Sequence, residues 1–268
     1  MLFDGVPLQR IRLAWLSHRV LSSGISARWG GTTSGPVSFK PRNPEKRMND
    51  NRLFSAAAAR NRGPILDVLR AVLPKQGLVL EIASGSGEHV VHFAANLKNL
   101  TFTPSDPSPK ACASVAAWIA CSGAQNVRAP LALDAASAPW PIERADAVIC
   151  INMVHISPWA ATVGLFDNAG AILPAGAPLY LYGPYKRDGA HTAPSNAEFD
   201  AGLRAQNPSW GVRDLETVAD LGRQAGFERP DIVEMPANNL SLIFRRSAET
   251  RQPTPAAKDI FDERKRRA

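Results

Sequence analysis

From Pro64 onward helical and strand patterns alternate along the chain: apolar positions three and four residues apart, then short extended-type segments. Ile65, Leu66, Leu69, Val72 and Leu73 share one face of a helix, with Pro64 in its first turn and Pro74 closing it. Leu78–Ile82 is a short buried-type strand, and Val90, Ala94 and Leu97 mark the next helical face. Thr101–Ser105 reads as a second strand. A helix follows from Pro109 to Cys121 and stops at Gly123. Val127–Leu133 and Ala145–Ile151 read as strands three and four, Trp159–Leu173 as a helix and Pro178–Tyr182 as strand five. Ser195-Asn-Ala-Glu198 has the form of a capping box, and Asp214 can cap a helix running to Gln224. Asp231–Met235 and Leu240–Arg245 close the pattern as a hairpin turning at Asn238-Asn239.

Repeated strand–helix units predict an α/β fold with a mainly parallel sheet and helices on both faces. The terminal hairpin sets one strand antiparallel to the rest. Seven strands, Rossmann-like, with an antiparallel strand at the C-terminal end form the architecture of class I methyltransferases. One domain is expected over residues 48–248. Residues 1–47, rich in Gly, Pro, Arg and Ser, read as a disordered or mis-assigned extension with the natural start at Met48; their composition is also that of a transit peptide. Residues 249–268 read as a polar tail.

The richest local signal is Glu81-Ile-Ala-Ser-Gly-Ser-Gly-Glu88, between a predicted strand and a predicted helix. Glycines there let the backbone approach a ligand and take positive φ, as at Gly85 and Gly87. The acid Glu81 suits an ammonium and would repel a pyrophosphate. Val90 stands where a dinucleotide fingerprint needs a third glycine. Both points disfavour an NAD-dependent oxidoreductase. Asp106, at the end of the second strand, can accept ribose hydroxyls, and Asp134, at the end of the third, can accept from an adenine amino group. Three acids at the carboxyl ends of consecutive parallel strands point to S-adenosylmethionine (SAM) as cofactor.

Asn61-Arg62-x-Pro64-Ile65, Leu80-Glu-Ile-Ala-Ser-Gly-x-Gly-Glu-His89, Pro104-Ser-Asp106 and Asn152-Met-Val-His-Ile-Ser-Pro-Trp159 together resemble the methyltransferase-like protein 26 family, built on domain of unknown function 938. Leu181-Tyr-Gly-Pro-Tyr-Lys186, Asn196-x-x-Phe-Asp200 and Asn207-Pro-x-Trp-Gly211 fit it too. The resemblance implies a SAM-binding fold from about Met48 to Arg246 and brings no substrate. Ala83 departs from the wider methyltransferase pattern, which has glycine there. Arg62, Glu81, Ala83, Ser84, Gly85, Gly87, His89, Asp106, Pro107, Asp134, Ala135, Asn152 and Met153 are the expected cofactor-binding residues.

Methyl transfer from a sulfonium needs alignment and exclusion of water, and a base only where the acceptor must lose a proton. His155, after strand four, is a candidate base; the alternative is a ring that only steadies the loop. Tyr185 is a second catalytic candidate, at the rim after strand five with Tyr182 and His191. Trp159 can wall a pocket or join the core. Lys186-Arg187 can meet an acidic substrate or simply be solvated. Arg62 can pair with a cofactor carboxylate or cap the surface. Asn152-Met-Val-His replaces the Asn/Asp-Pro-Pro-aromatic motif of many adenine and glutamine N-methyltransferases, which counts against those substrates. The expected function is methyl transfer to an unknown acceptor, a small molecule or a protein side chain; the alternative is a SAM-binding protein that has lost catalysis.

The formal net charge of +7 raises the question of nucleic acid. Residues 1–47 hold eight Lys and Arg against two acids, and residues 48–268 hold 23 against 22. The folded part therefore carries no basic excess, and no nucleic-acid partner is expected. Cys112, Cys121 and Cys150 form no Cys-x-x-Cys pair, so neither a disulfide framework nor a metal site is expected, and a cytoplasmic setting fits. No apolar run approaches the roughly 18 residues of a membrane span, so no membrane partner is expected.

Overall fold

The computed structural model of the protein describes residues 50–248. The readings made for residues 1–47 and 249–268 lie outside them. Among the described residues six helices and ten strands follow in order: α1 (Ala56–Val72), β1 (Gly77–Ile82), α2 (Glu88–Asn96), β2 (Leu100–Asp106), α3 (Pro109–Ser122), β3 (Leu131–Ala132) and β4 (Ala147–Ile151). Then come α4 (Trp159–Ile172), β5 (Pro178–Gly183), β6 (Tyr185–Arg187), β7 (Ala190–His191), α5 (Pro194–Gln206), β8 (Arg213–Asp214), α6 (Leu215–Gln224), β9 (Asp231–Met235) and β10 (Asn239–Arg245).

Seven strands form one sheet in the order β3-β2-β1-β4-β5-β10-β9. Strands β1 to β5 pair in parallel, and β10 runs antiparallel between β5 and β9, with Leu242 opposite Leu181 and Ile232. Alternation along each strand divides the core. Val79, Ile149, Tyr180 and Ile243 pack with Ile65 and Leu69 of α1 and with Val90 and Phe93 of α2. Leu80, Val148, Leu181 and Phe244 pack on the opposite face with Leu165 and Phe166 of α4 and Val218 of α6. Each such side chain, once buried, contributes roughly 1.5–3 kcal/mol. The order reverses between β1 and β4, and their carboxyl ends face the crevice where ligands bind in open α/β sheets.

Four expectations need correction. Helix α1 starts at Ala56, where Ser55 caps the Ala58 N–H at 3.2 Å, so Pro64 lies inside the helix and not in its first turn. The Ala56–Ala59 run is strong helix former and extends the element past the proline, placing Asn61 and Arg62 within α1 and not before it. The third strand keeps only Leu131–Ala132 and a bridge from Val127 to Phe102, because Pro130 has no N–H for the ladder. Ser195 caps nothing: α5 begins at Pro194, with Ala193 in the cap position. The β9–β10 connection turns through Pro236–Asn238, with Ala237 and Asn238 both at positive φ. A small second sheet, β7-β6-β8, was not foreseen. Among the described residues no helix is long and apolar enough to cross a membrane.

Candidate functional site at the end of strand β1

Strand β1 carries Glu81 to the carboxyl edge, and the loop Ala83–Gly87 turns the chain into α2. Ala83 has φ 57°, a left-handed conformation that disfavours any side chain with a Cβ. The loop is held by short bonds to β2: the Ser84 N–H donates to the Ser105 carbonyl at 2.8 Å, and the Ser105 N–H donates to Ser84 Oγ at 3.1 Å. The two glycines differ in their surroundings. A Cβ at Gly87 would stand 2.8 Å from Val115 Cα, so this residue lets α2 approach α3. A Cβ at Gly85 would meet no atom within 4 Å, so the loop backbone there lines open space.

Glu81 is buried, and its Oε2 has no hydrogen-bond partner. Burial pushes its carboxyl up to about 7; a Ser84 hydrogen bond opposes the rise and the Asp106 charge adds to it. A buried carboxylate oxygen left without a donor is costly, and a ligand ammonium would satisfy it. Asp106 is also buried. Its Oδ2 accepts from the Gly85 N–H at 3.0 Å and its Oδ1 from the Ser108 N–H at 2.9 Å, which leaves one lone pair on each oxygen. Pro107 is exposed beside it. Asp134 lies two residues beyond β3, exposed, with its Oδ1 accepting from the Ala136 N–H at 2.9 Å, while Ala135 is buried.

Helix α1 packs beside this loop and α2. His89 donates from Nε2 to Asn61 Oδ1 at 2.8 Å, and Asn61 also hydrogen-bonds the Tyr182 hydroxyl. Burial, followed by the His92 and Arg62 charges, lowers the His89 imidazole to about 4, so it is neutral at physiological pH. Arg62 is half-buried and has no carboxylate partner among the described residues. Buried Glu88 joins the loop to the helix: its Oε2 accepts from the Ser86 hydroxyl at 3.0 Å and from the Ser55 N–H at 2.6 Å. Sequence reasoning did not find Asn61 or Glu88 in these roles, because both act through partners distant in the chain.

After β4, Asn152 adopts φ 65° and its N–H donates to the Tyr182 carbonyl at 2.9 Å. Met153 is buried behind it. The two catalytic candidates are interior. His155 is 2% exposed, and burial, with the Arg213 charge, lowers its imidazole to about 3. In the structure it is a packed, neutral ring whose Nδ1 has no hydrogen-bond partner. Tyr185 is 1% exposed within the apolar core, its hydroxyl has no partner, and burial raises its ionisation far above the usual phenol range. It does not stand at the rim. Trp159 packs against the core under the Arg213 guanidinium, 5.7 Å from its ring. Lys186 is committed to Asp200 at 3.3 Å, and is not a free contact for an acidic substrate.

Arg213 was not singled out in the sequence, and Asp200 only within the family resemblance, with no role. Arg213 donates to the carbonyls of Val154 (3.1 Å), Ser157 (2.8 Å) and Ser209 (2.8 Å), which fixes the loop after β4. Asp200 gathers Lys186, His191, Arg204 and the Val212 N–H. A lone charge in sequence carries no signal for such a role.

The strand order, with a glycine loop at the point where it reverses, defines a class I methyltransferase fold. The chain belongs to the family described as protein of unknown function DUF938, whose model matches residues 52–246. Solved structures agree on the fold. An O-methyltransferase family protein from Burkholderia thailandensis is 18% identical with a TM-score of 0.62, covering 72% of this chain and 58% of its own. Human N-acetylserotonin methyltransferase, solved in complex with SAM, is 14% identical with a TM-score of 0.61, covering 72% and 53%. The S-adenosylmethionine-dependent methyltransferase SibL, solved in its apo form, is 20% identical with a TM-score of 0.60, covering 72% and 56%. The chain thus spans a little over half the length of these proteins.

Proposed function

We propose that this protein is a SAM-dependent methyltransferase. The observation that carries the reading is the pairing of the partnerless, buried Glu81 oxygen with the open space at Gly85, at one loop. Glu81 would hold the cofactor ammonium, Arg62 its carboxylate, Asp106 the ribose and Asp134 the adenine. The backbone from Ala83 to Gly85 would line the cofactor, with Ser84, His89, Pro107, Ala135, Asn152 and Met153 around it. SAM supplies an electrophilic methyl group on a sulfonium. The chain's own residues orient it and keep water from it; with His155 and Tyr185 both packed inside, neither stands as the base. That burial also favours a second reading, a SAM-binding protein acting through partners without catalysis. The acceptor is a small molecule or a protein side chain, and with all three cysteines free the proposed setting is cytoplasmic. Calorimetric titration tests the cofactor: S-adenosylhomocysteine (SAH) should bind and NAD should not, and NAD binding without SAH binding would overturn the proposal.

A further inference from the structure

Four large apolar side chains are exposed among the described residues: Phe54, Ile156, Phe199 and Ile232. Two of them, Ile156 and Phe199, are 41% and 43% exposed, and both adjoin the buried His155, Phe199 by ring contact and Ile156 as its neighbour in the chain. That ring lies directly on the end of β5: a Cβ at Gly183 would stand 2.5 Å from His155 Cε1. It meets Phe199 edge-on, with ring centroids 5.6 Å apart. Ile156 follows His155 in the chain, just past the end of β4. Both apolar side chains thus rise at the carboxyl ends of β4 and β5, along the same sheet edge as the glycine loop.

The charges of Lys186, Arg204 and Asp200 are already paired. Lys186 Nζ and His191 Nε2 each lie 3.3 Å from Asp200 Oδ2, and Arg204 Nε lies 3.2 Å from Asp200 Oδ1. Arg213 spends its donors on the carbonyls of Val154, Ser157 and Ser209. A ligand carboxylate or ammonium arriving here would lose water and meet groups that already have partners. A ring without charge would bury apolar surface and meet Phe199 in a favoured aromatic geometry. Exposed apolar side chains beside ion-paired charges suit an uncharged ring, while the buried Nδ1 atoms of His155 and His191 have no partner among the described residues.

We infer that Ile156 and Phe199 form the acceptor subsite and select an uncharged aromatic ring. This rests on the SAM-binding reading above and narrows its acceptor to a small aromatic molecule.

The test uses the full chain saturated with SAH and two probes that share one ring system, 2-naphthol and 2-naphthoate, titrated by fluorescence or calorimetry. 2-Naphthol should bind, and 2-naphthoate should bind at least tenfold more weakly. Phe199→Ala should weaken 2-naphthol at least fivefold with the SAH Kd unchanged, Phe199→Tyr should restore it, and Ile156→Ala should weaken it in the same direction. Equal or tighter binding of 2-naphthoate, or wild-type 2-naphthol binding in both alanine variants, would overturn the inference. SAH binding with no 2-naphthol binding would overturn it alone. Absence of SAH binding would remove the cofactor reading and this inference together.

Discussion

Replacing Glu81 by glutamine should move stability and cofactor affinity in opposite directions. In the free protein the Glu81 carboxyl is raised from its usual 4.5 to about 7. The native state therefore favours the neutral form. Stability associated with that neutral form is complete below pH 4.5 and is lost as pH rises through about 7. The full difference is about 3 kcal/mol, reached above pH 7. A glutamine side chain cannot ionise, so the Glu81→Gln variant should gain on wild type by about this amount between pH 4.5 and pH 8, roughly 6–12 °C in melting temperature. Comparing the two pH values cancels the constant term for burying an amide. Binding should show the reverse. If the cofactor ammonium requires the carboxylate, SAH affinity of the wild type should fall about fivefold from pH 7 to pH 6 and approach tenfold per unit below that. The variant should bind SAH at least tenfold more weakly at pH 7.5, with little slope between pH 6 and 7. Thermal unfolding across pH and calorimetry at matched buffers measure both quantities. A stability difference that stays constant with pH, or an unchanged SAH slope in the variant, would refute the reasoning.

Four further substitutions separate fold from function. Gly85→Ala should leave the fold intact, with about 1 kcal/mol of backbone strain at its φ of 56°, while SAH affinity falls more than tenfold; Gly87→Ala should mainly lower the melting temperature, because its Cβ meets Val115 backbone. Equal melting temperatures for the two variants would contradict this division. His155→Ala should destabilise by about 2–4 kcal/mol as a buried ring is lost, with SAH affinity kept within a few-fold. With its imidazole held at about 3, no wild-type pH profile of turnover or binding should show a His155 inflection between pH 5 and 8; one that disappears in the variant would restore it as a base. Arg213→Met should leave three carbonyls without their donor and speed amide exchange in residues 153–157 at a loss of about 2 kcal/mol, and unchanged exchange there would show that the guanidinium does not hold the loop.

The sheet was legible because its signals are local. Leu78–Ile82, Thr101–Ser105 and Pro178–Tyr182 fall within elements one or two residues longer. Gly123, at φ 65°, stops α3 as expected, and Asp214 caps α6 by accepting from Glu216 and Thr217. The glycine loop and the acids Glu81 and Asp106 were legible for the same reason: they sit where strands end. What failed was the balance of competing local signals, and anything tertiary. Pro64 was given more weight than the alanine run that carries α1 past it, and the apolar residues of Val127–Leu133 hid a proline that breaks the ladder. A tyrosine after a strand looks the same in sequence whether it faces the crevice or the core, so Tyr185 was misplaced. Asp200, Arg213 and Glu88 matter only through partners brought near by the fold.

A crystal structure of the SAH complex tests the central claim most directly. The account predicts the ligand amino group within hydrogen-bond distance of Glu81, the ribose at Asp106 and the homocysteine backbone passing Gly85. A ligand seated away from this loop, or one whose amino group leaves the Glu81 oxygen without a partner, would contradict it.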